Sequence, residues 1–207
     1  MNDPDGSGGL RTLLVLSCKE NGQSFAFLVG CRDSIERMFV LGIDPGLTRC
    51  GFGLVEGSFA GVESFRAVRA GVVETSPQSP VEERLGQLLV ELRLLMEETK
   101  PDAVVVERLF YQRNAKTAIP VAQASGVAVA LAGAIDLPVR QFTAQEVKLA
   151  VTGYGAASKI QVQGMVARLC GLVDIPKPAD AADALALAIT YFMMVRMEQR
   201  YPEKSPA

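Results

Sequence analysis

The stretch Met38-Phe39-Val40-Leu41-Gly42-Ile43-Asp44-Pro45-Gly46 decides the reading of the chain. A short apolar run rich in β-branched residues, closed abruptly by an acid and a Pro-Gly turn, reads as a buried strand over Phe39–Asp44. Two further β-rich runs follow, Cys50–Glu56 and Val62–Val73, separated by glycines at 57 and 61. Short turns between three neighbouring strands predict an antiparallel meander. From about Pro80 to Thr99, Leu85, Leu88, Leu92 and Leu95 recur at helical spacing and form one apolar stripe, which Lys100-Pro101 ends. Asp102–Glu107 (DAVVVE) is a second buried strand that stops on an acid.

Beyond it, Asn114 can cap a helix to about Ala134, with Pro120 expected to kink it or delay its regular part. Pro138–Phe142 reads as a short strand. Thr143-x-x-Glu146 is a capping-box signature for a helix ending near Gly153. Ser158–Leu172 and a segment from about Asp180 to Gln199 read as the last two helices. The order β-β-β-α-β-α-β-α-α-α predicts an α/β domain with a mixed five-stranded sheet flanked by helices over 38–199, followed by a flexible tail at 200–207. Residues 1–37 open on a Gly/Asp/Pro/Ser cluster and show weak periodicity. They read as an N-terminal extension outside the fold, either poorly ordered or upstream of a true start at Met38.

Composition restricts the chemistry. The 207 residues include no histidine, which removes His-based general bases, His-containing triads and His-ligated zinc. Cys18, Cys31, Cys50 and Cys170 form no C-x-x-C pair and read as free thiols of a cytoplasmic protein. No run of eighteen apolar residues predicts a membrane span. The net charge of −2 supplies no global field for a polyanion, yet residues 107–168 hold seven basic residues against three acidic ones. A local basic face of this kind makes phosphate binding salt-sensitive.

Four acids stand at informative places. Asp44 closes a strand, although Asp-Pro-Gly is equally a strong turn sequence. Glu107 follows three valines, where turn chemistry gives no reason for a glutamate; an ion pair with Arg108 or Arg113 is the alternative. Asp180 and Asp183 lie three residues apart, on one face of a helical turn. An N-cap at Asp180 and an acid in the favourable first turn would also account for them. Strand-end and helix-start carboxylates in a chain without histidine suit a hard cation, Mg2+ or Mn2+. Two such ions ~4 Å apart serve phosphodiester hydrolysis.

Four blocks in order, LGIDPGLTRCGFGLVE (41–56), VVVERLF (104–110), GYGAASKIQVQGMV (153–166) and PADAADALALAIT (178–190), resemble the bacterial Holliday junction resolvase family RuvC. The resemblance runs from Met38 to about Tyr191. It implies a ribonuclease H-like fold, a cytoplasmic homodimer, a branch-migration helicase complex as partner, and Mg2+-dependent, symmetric cutting of four-way junction DNA during recombination and repair. It carries catalytic and metal-binding roles onto Asp44, Glu107, Asp180 and Asp183, with two Mg2+ ions per subunit that Mn2+ may replace. DNA-binding roles fall on Phe110, as a base-stacking aromatic, and on Lys148 and Lys159, near the scissile phosphate. Phe110 as ordinary core, and either lysine as a solvated surface charge, remain the structural alternatives. Asp180 gives the site an all-carboxylate form, since some family members have histidine there. Competing readings are a related ribonuclease H-like nuclease acting on structured RNA, a nucleotide-binding domain with a G-I-D-x-G phosphate loop, and a junction binder without activity.

Overall fold

The structure is a computed structural model and describes residues 13–20, 23–30, 37–59, 65–108 and 115–201. It divides into two compact units, Met1–Glu36 and Arg37–Ala207. In the first, β1 (Leu13–Glu20) pairs antiparallel with β2 (Gln23–Gly30). Periodicity gives no clear signal there, because Leu13–Leu16 and Phe25–Val29 are each apolar on successive residues. The usable signal is Asn21-Gly22, a dipeptide that favours tight hairpin connections and separates the two runs.

The second unit contains β3 (Arg37–Asp44), β4 (Arg49–Ser58), β5 (Arg66–Glu74), α1 (Val81–Thr99), β6 (Ala103–Glu107), α2 (Ala115–Ala134), β7 (Val139–Phe142), α3 (Ala144–Thr152), α4 (Lys159–Leu169) and α5 (Ala179–Arg200). The sheet order is β5-β4-β3-β6-β7. Strands β3, β4 and β5 form the expected antiparallel meander, while β6 and β7 join parallel to it.

Alternation along the central strands divides the core between two faces. Leu41, Ile43, Val104 and Val106 pack against Leu88, Leu92, Leu95 and Met96 of α1 and Ala124, Ala128 and Ala132 of α2. Val40, Val55, Ala103 and Val105 face the other way, onto α3, α4 and α5. Burial on both faces explains why β6 is an unbroken apolar run rather than an alternating one. Leu85, expected in the α1 stripe, is only half-buried.

Local signals set the helix ends. Thr143 and Glu146 close both arms of the capping box that starts α3, and Gly153 ends the helix at φ 74°. Ser158 and Gln161 form a second capping box before α4, within what reads in sequence only as a Gly-rich turn. α2 runs through Pro120, its sixth residue, at the cost of the N–H that would otherwise bond one turn back. By contrast, Gly86 lies inside α1 with open space where a Cβ would stand. Gly86→Ala is therefore expected to stabilise the protein by about 0.5–1 kcal/mol through helix propensity, read as a higher urea midpoint with unchanged slope.

α5 lies directly on β3 and β4. Its buried residues run from Ala181 through Phe192 apart from Asp183, so an almost wholly apolar helix is accounted for by burial. Backbone touches backbone at two glycines: a Cβ on Gly42 would stand 2.0 Å from the Ala184 carbonyl oxygen, and one on Gly51 would stand 2.2 Å from that of Asp180. The alanines at the start of α5 thus serve close approach of the sheet. Among the described residues, no helix is long and apolar enough to cross a membrane.

Candidate active site

Two neighbouring parallel strands end on acids. Ile43 pairs with Val106 in the β3–β6 register, so Asp44 and Glu107 are the next residues along each strand. Both share the strand parity of residues facing α5: Val40 and Gly42 on β3, Ala103 and Val105 on β6. Opposite Asp44 on β4 stands Gly51, whose missing side chain admits the first turn of α5. That turn carries Asp180 and Asp183. The N-cap of α5 is Pro178, with no side-chain cap bond, so Asp180 is not the cap that its position allows in sequence.

Carboxylate oxygens of Asp44, Asp180 and Asp183 lie within 4.8 Å of one another. Glu107 shares a side-chain hydrogen bond with Asp44. Burial, then the charges of Glu107, Asp183 and Asp180, raise the Asp44 carboxyl to about 7. Burial likewise raises Glu107. Two chain cations contact the cluster. Lys159 Nζ contacts Asp183 Oδ2 at 2.5 Å, and Arg49 Nε donates to Asp180 Oδ2 at 2.9 Å. The contact with Asp183 is the main cause of the raised Lys159 ammonium.

The structure therefore brings together Asp44, Glu107, Asp180, Asp183 and Lys159. It does not pair Glu107 with Arg108, whose guanidinium donates to the Gln141 carbonyl. Lys148 is half-buried on α3, with no ion pair among the described residues. Phe110 lies outside the described residues, as does Arg113. Arg49 was not singled out from sequence, although it sits two residues before Gly51 and so on the same strand face. An all-oxygen donor set with crowded negative charge fits a hard divalent cation and offers nothing to a soft one.

A mixed sheet with helices on both faces and carboxylates gathered at strand ends and a helix start places the chain in the ribonuclease H-like class. Residues 40–191 match the family described as crossover junction endodeoxyribonuclease RuvC. The chain belongs to that family. A family member from Frankia alni is 51% identical over 125 residues, which cover 60% of this chain but 62%, less than two thirds, of that relative. One from Syntrophomonas wolfei is 48% identical over 126 residues, covering 61% of this chain and 72% of the relative. Among solved structures, Thermus thermophilus RuvC superposes with a TM-score of 0.72 at 38% identity, over 77% of this chain and 96% of that one. The same protein in complex with a Holliday junction substrate gives the same values. The yeast mitochondrial Holliday junction resolvase Ydc2, at 16% identity and a TM-score of 0.56, shares the fold.

Proposed function

We propose that the chain resolves four-way DNA junctions by metal-dependent phosphodiester hydrolysis, with Asp44, Glu107, Asp180 and Asp183 as the catalytic acids. The observation that carries this reading is the gathering of three carboxylates within 4.8 Å, with Glu107 bonded to one of them, inside the segment that matches the family. The four acids would hold two Mg2+ ions, replaceable by Mn2+, which neutralise the phosphodiester and acidify a water. Water adds to phosphorus and the 3′ oxygen leaves, giving a 5′-phosphate and a 3′-hydroxyl. Lys159, whose ammonium contacts Asp183, would neutralise the phosphate that enters. Lys148 and Phe110 are assigned to DNA on the family resemblance. A homodimer would carry one site per subunit and cut paired strands symmetrically. A branch-migration helicase complex is the expected partner, and the cytoplasm the expected location. The nuclease domain on this reading is 38–199.

The test is cleavage of a synthetic four-way junction by wild type and Asp44→Asn, with Mg2+ and with chelator, beside a linear duplex and a structured RNA. Metal-dependent cutting of the junction alone, lost in the variant, supports the proposal. Cutting in chelator, undiminished cutting by Asp44→Asn, or preference for the RNA overturns it. Cation binding must also expel a proton from Asp44, whose carboxyl titrates near 7. Mn2+ affinity should therefore rise about tenfold per pH unit up to about pH 7 and level off above it, in titrations at pH 6, 7 and 8. A flat profile would contradict the assignment of Asp44 as a ligand.

A further inference from the structure

We propose that Arg49, anchored by Glu74, is the positioning residue that aims the Asp180 carboxylate into the acidic cluster; this rests on the metal-site reading above. An aspartate in the first turn of a helix ordinarily turns back toward free backbone N–H groups. Among the described residues the Asp180 side chain turns to Arg49 instead, whose Nε donates to Oδ2 at 2.9 Å, while the N-cap of α5, Pro178, supplies no side-chain bond. Arg49 opens β4 and stands directly across from Glu74 on β5. Its Nη1 donates to Glu74, so two carboxylates on two different elements fix the plane of one guanidinium. Arg49 and Gly51 occupy the same strand face, where the glycine admits the first turn of α5 and the arginine grips the side chain it brings.

The arrangement is an outer layer around a ligand set. Glu74 fixes Arg49, and Arg49 fixes one oxygen of Asp180, whose carboxylate lies within 4.8 Å of those of Asp44 and Asp183. Groups that orient ligating carboxylates in this way typically govern metal affinity by 10–100-fold. A fork is required, because an ammonium cannot hold two carboxylates in one plane. The other role open to a half-exposed arginine is a direct contact to DNA phosphate, and it makes a different prediction.

The experiment uses the full chain and Mn2+ alone as the probe, titrated at pH 8. The half-saturating Mn2+ concentration for junction cleavage is measured in parallel. Arg49→Gln is expected to weaken Mn2+ binding about tenfold. Arg49→Lys should not restore it, and Glu74→Gln should weaken it in the same direction by a smaller factor. Junction binding in chelator should be unchanged in all three. Wild-type Mn2+ affinity in Arg49→Gln, with weaker junction binding in chelator, would overturn the proposal in favour of a phosphate contact. If Arg49→Gln does not fold, Glu74→Gln on its exposed carboxylate reads the same quantity, and unchanged affinity there overturns the relay. A wild type that neither binds Mn2+ nor requires a divalent ion for cleavage would sink the metal-site reading itself, a separate outcome from the failure of Arg49 alone.

Discussion

Asp44→Asn should abolish junction cleavage, by about a thousandfold or more, while raising the melting temperature of the metal-free protein at pH 8. The loss follows from the place of Asp44 between Glu107 and the two α5 acids: without its charge the cluster loses its innermost anionic oxygen. The gain follows from the same crowding. In the folded chain the carboxyl titrates near 7, against 3.8 for an ordinary aspartate, so the native state binds the extra proton between those values. Stability contributed by that proton is complete below about pH 4 and is lost as pH rises to about 7. The cost at pH 8 is on the order of 2–4 kcal/mol, or about 5–10 °C in a chain of this size. Asparagine carries no charge at any of these pH values and can still donate an N–H to Glu107. Melts in chelator at pH 5 and pH 8 check the claim. A wild type that melts identically at both, or a variant no more stable at pH 8, would show that the acids are not strained against one another.

Gly51→Ala is the second large effect, and it acts without changing any charged group. The added methyl would lie 2.2 Å from the Asp180 carbonyl oxygen and 2.7 Å from its carbonyl carbon. Both atoms belong to the helix backbone, so relief requires moving the turn that carries Asp180 and Asp183 together. Displacement of about 1 Å at a reacting centre can cost a hundredfold in rate, and overpacking of this kind costs about 1–3 kcal/mol in stability. A folded protein with cleavage reduced about a hundredfold and weakened Mn2+ binding is expected. Gly42→Ala supplies the contrast, because its methyl would meet the Ala184 carbonyl oxygen at 2.0 Å, one turn into the helix. There the damage should fall mainly on folding, seen as loss of soluble native protein rather than a selective loss of metal affinity. Full activity in Gly51→Ala would mean that α5 can shift on the sheet without disturbing its acids.

Much of the site was readable because the relevant information is local. An apolar run that stops on an acid locates Asp44 and Glu107 at strand ends. Helical spacing puts Asp180 and Asp183 on one face, and Thr143-x-x-Glu146 marks a helix start that the structure realises on both arms. What escaped depends on chain segments far apart. Arg49 meets Asp180 across 131 positions, a pairing no local pattern encodes. Glu107 bonds to Asp44, and Arg108 turns away to the Gln141 carbonyl, because the parallel register sets the two strand ends side by side. Gly42 and Gly51 look like ordinary strand glycines until a helix is laid over them.

The sequence by itself thus determined the element order, the hydrophobic faces and the restriction to oxygen ligands. Each of these follows from side-chain chemistry and short-range periodicity. Only the tertiary structure decided which acids meet and how closely, and which chain cations balance them. Those outcomes depend on strand register and on backbone contact between α5 and the sheet at glycines, and both arise from packing between distant segments.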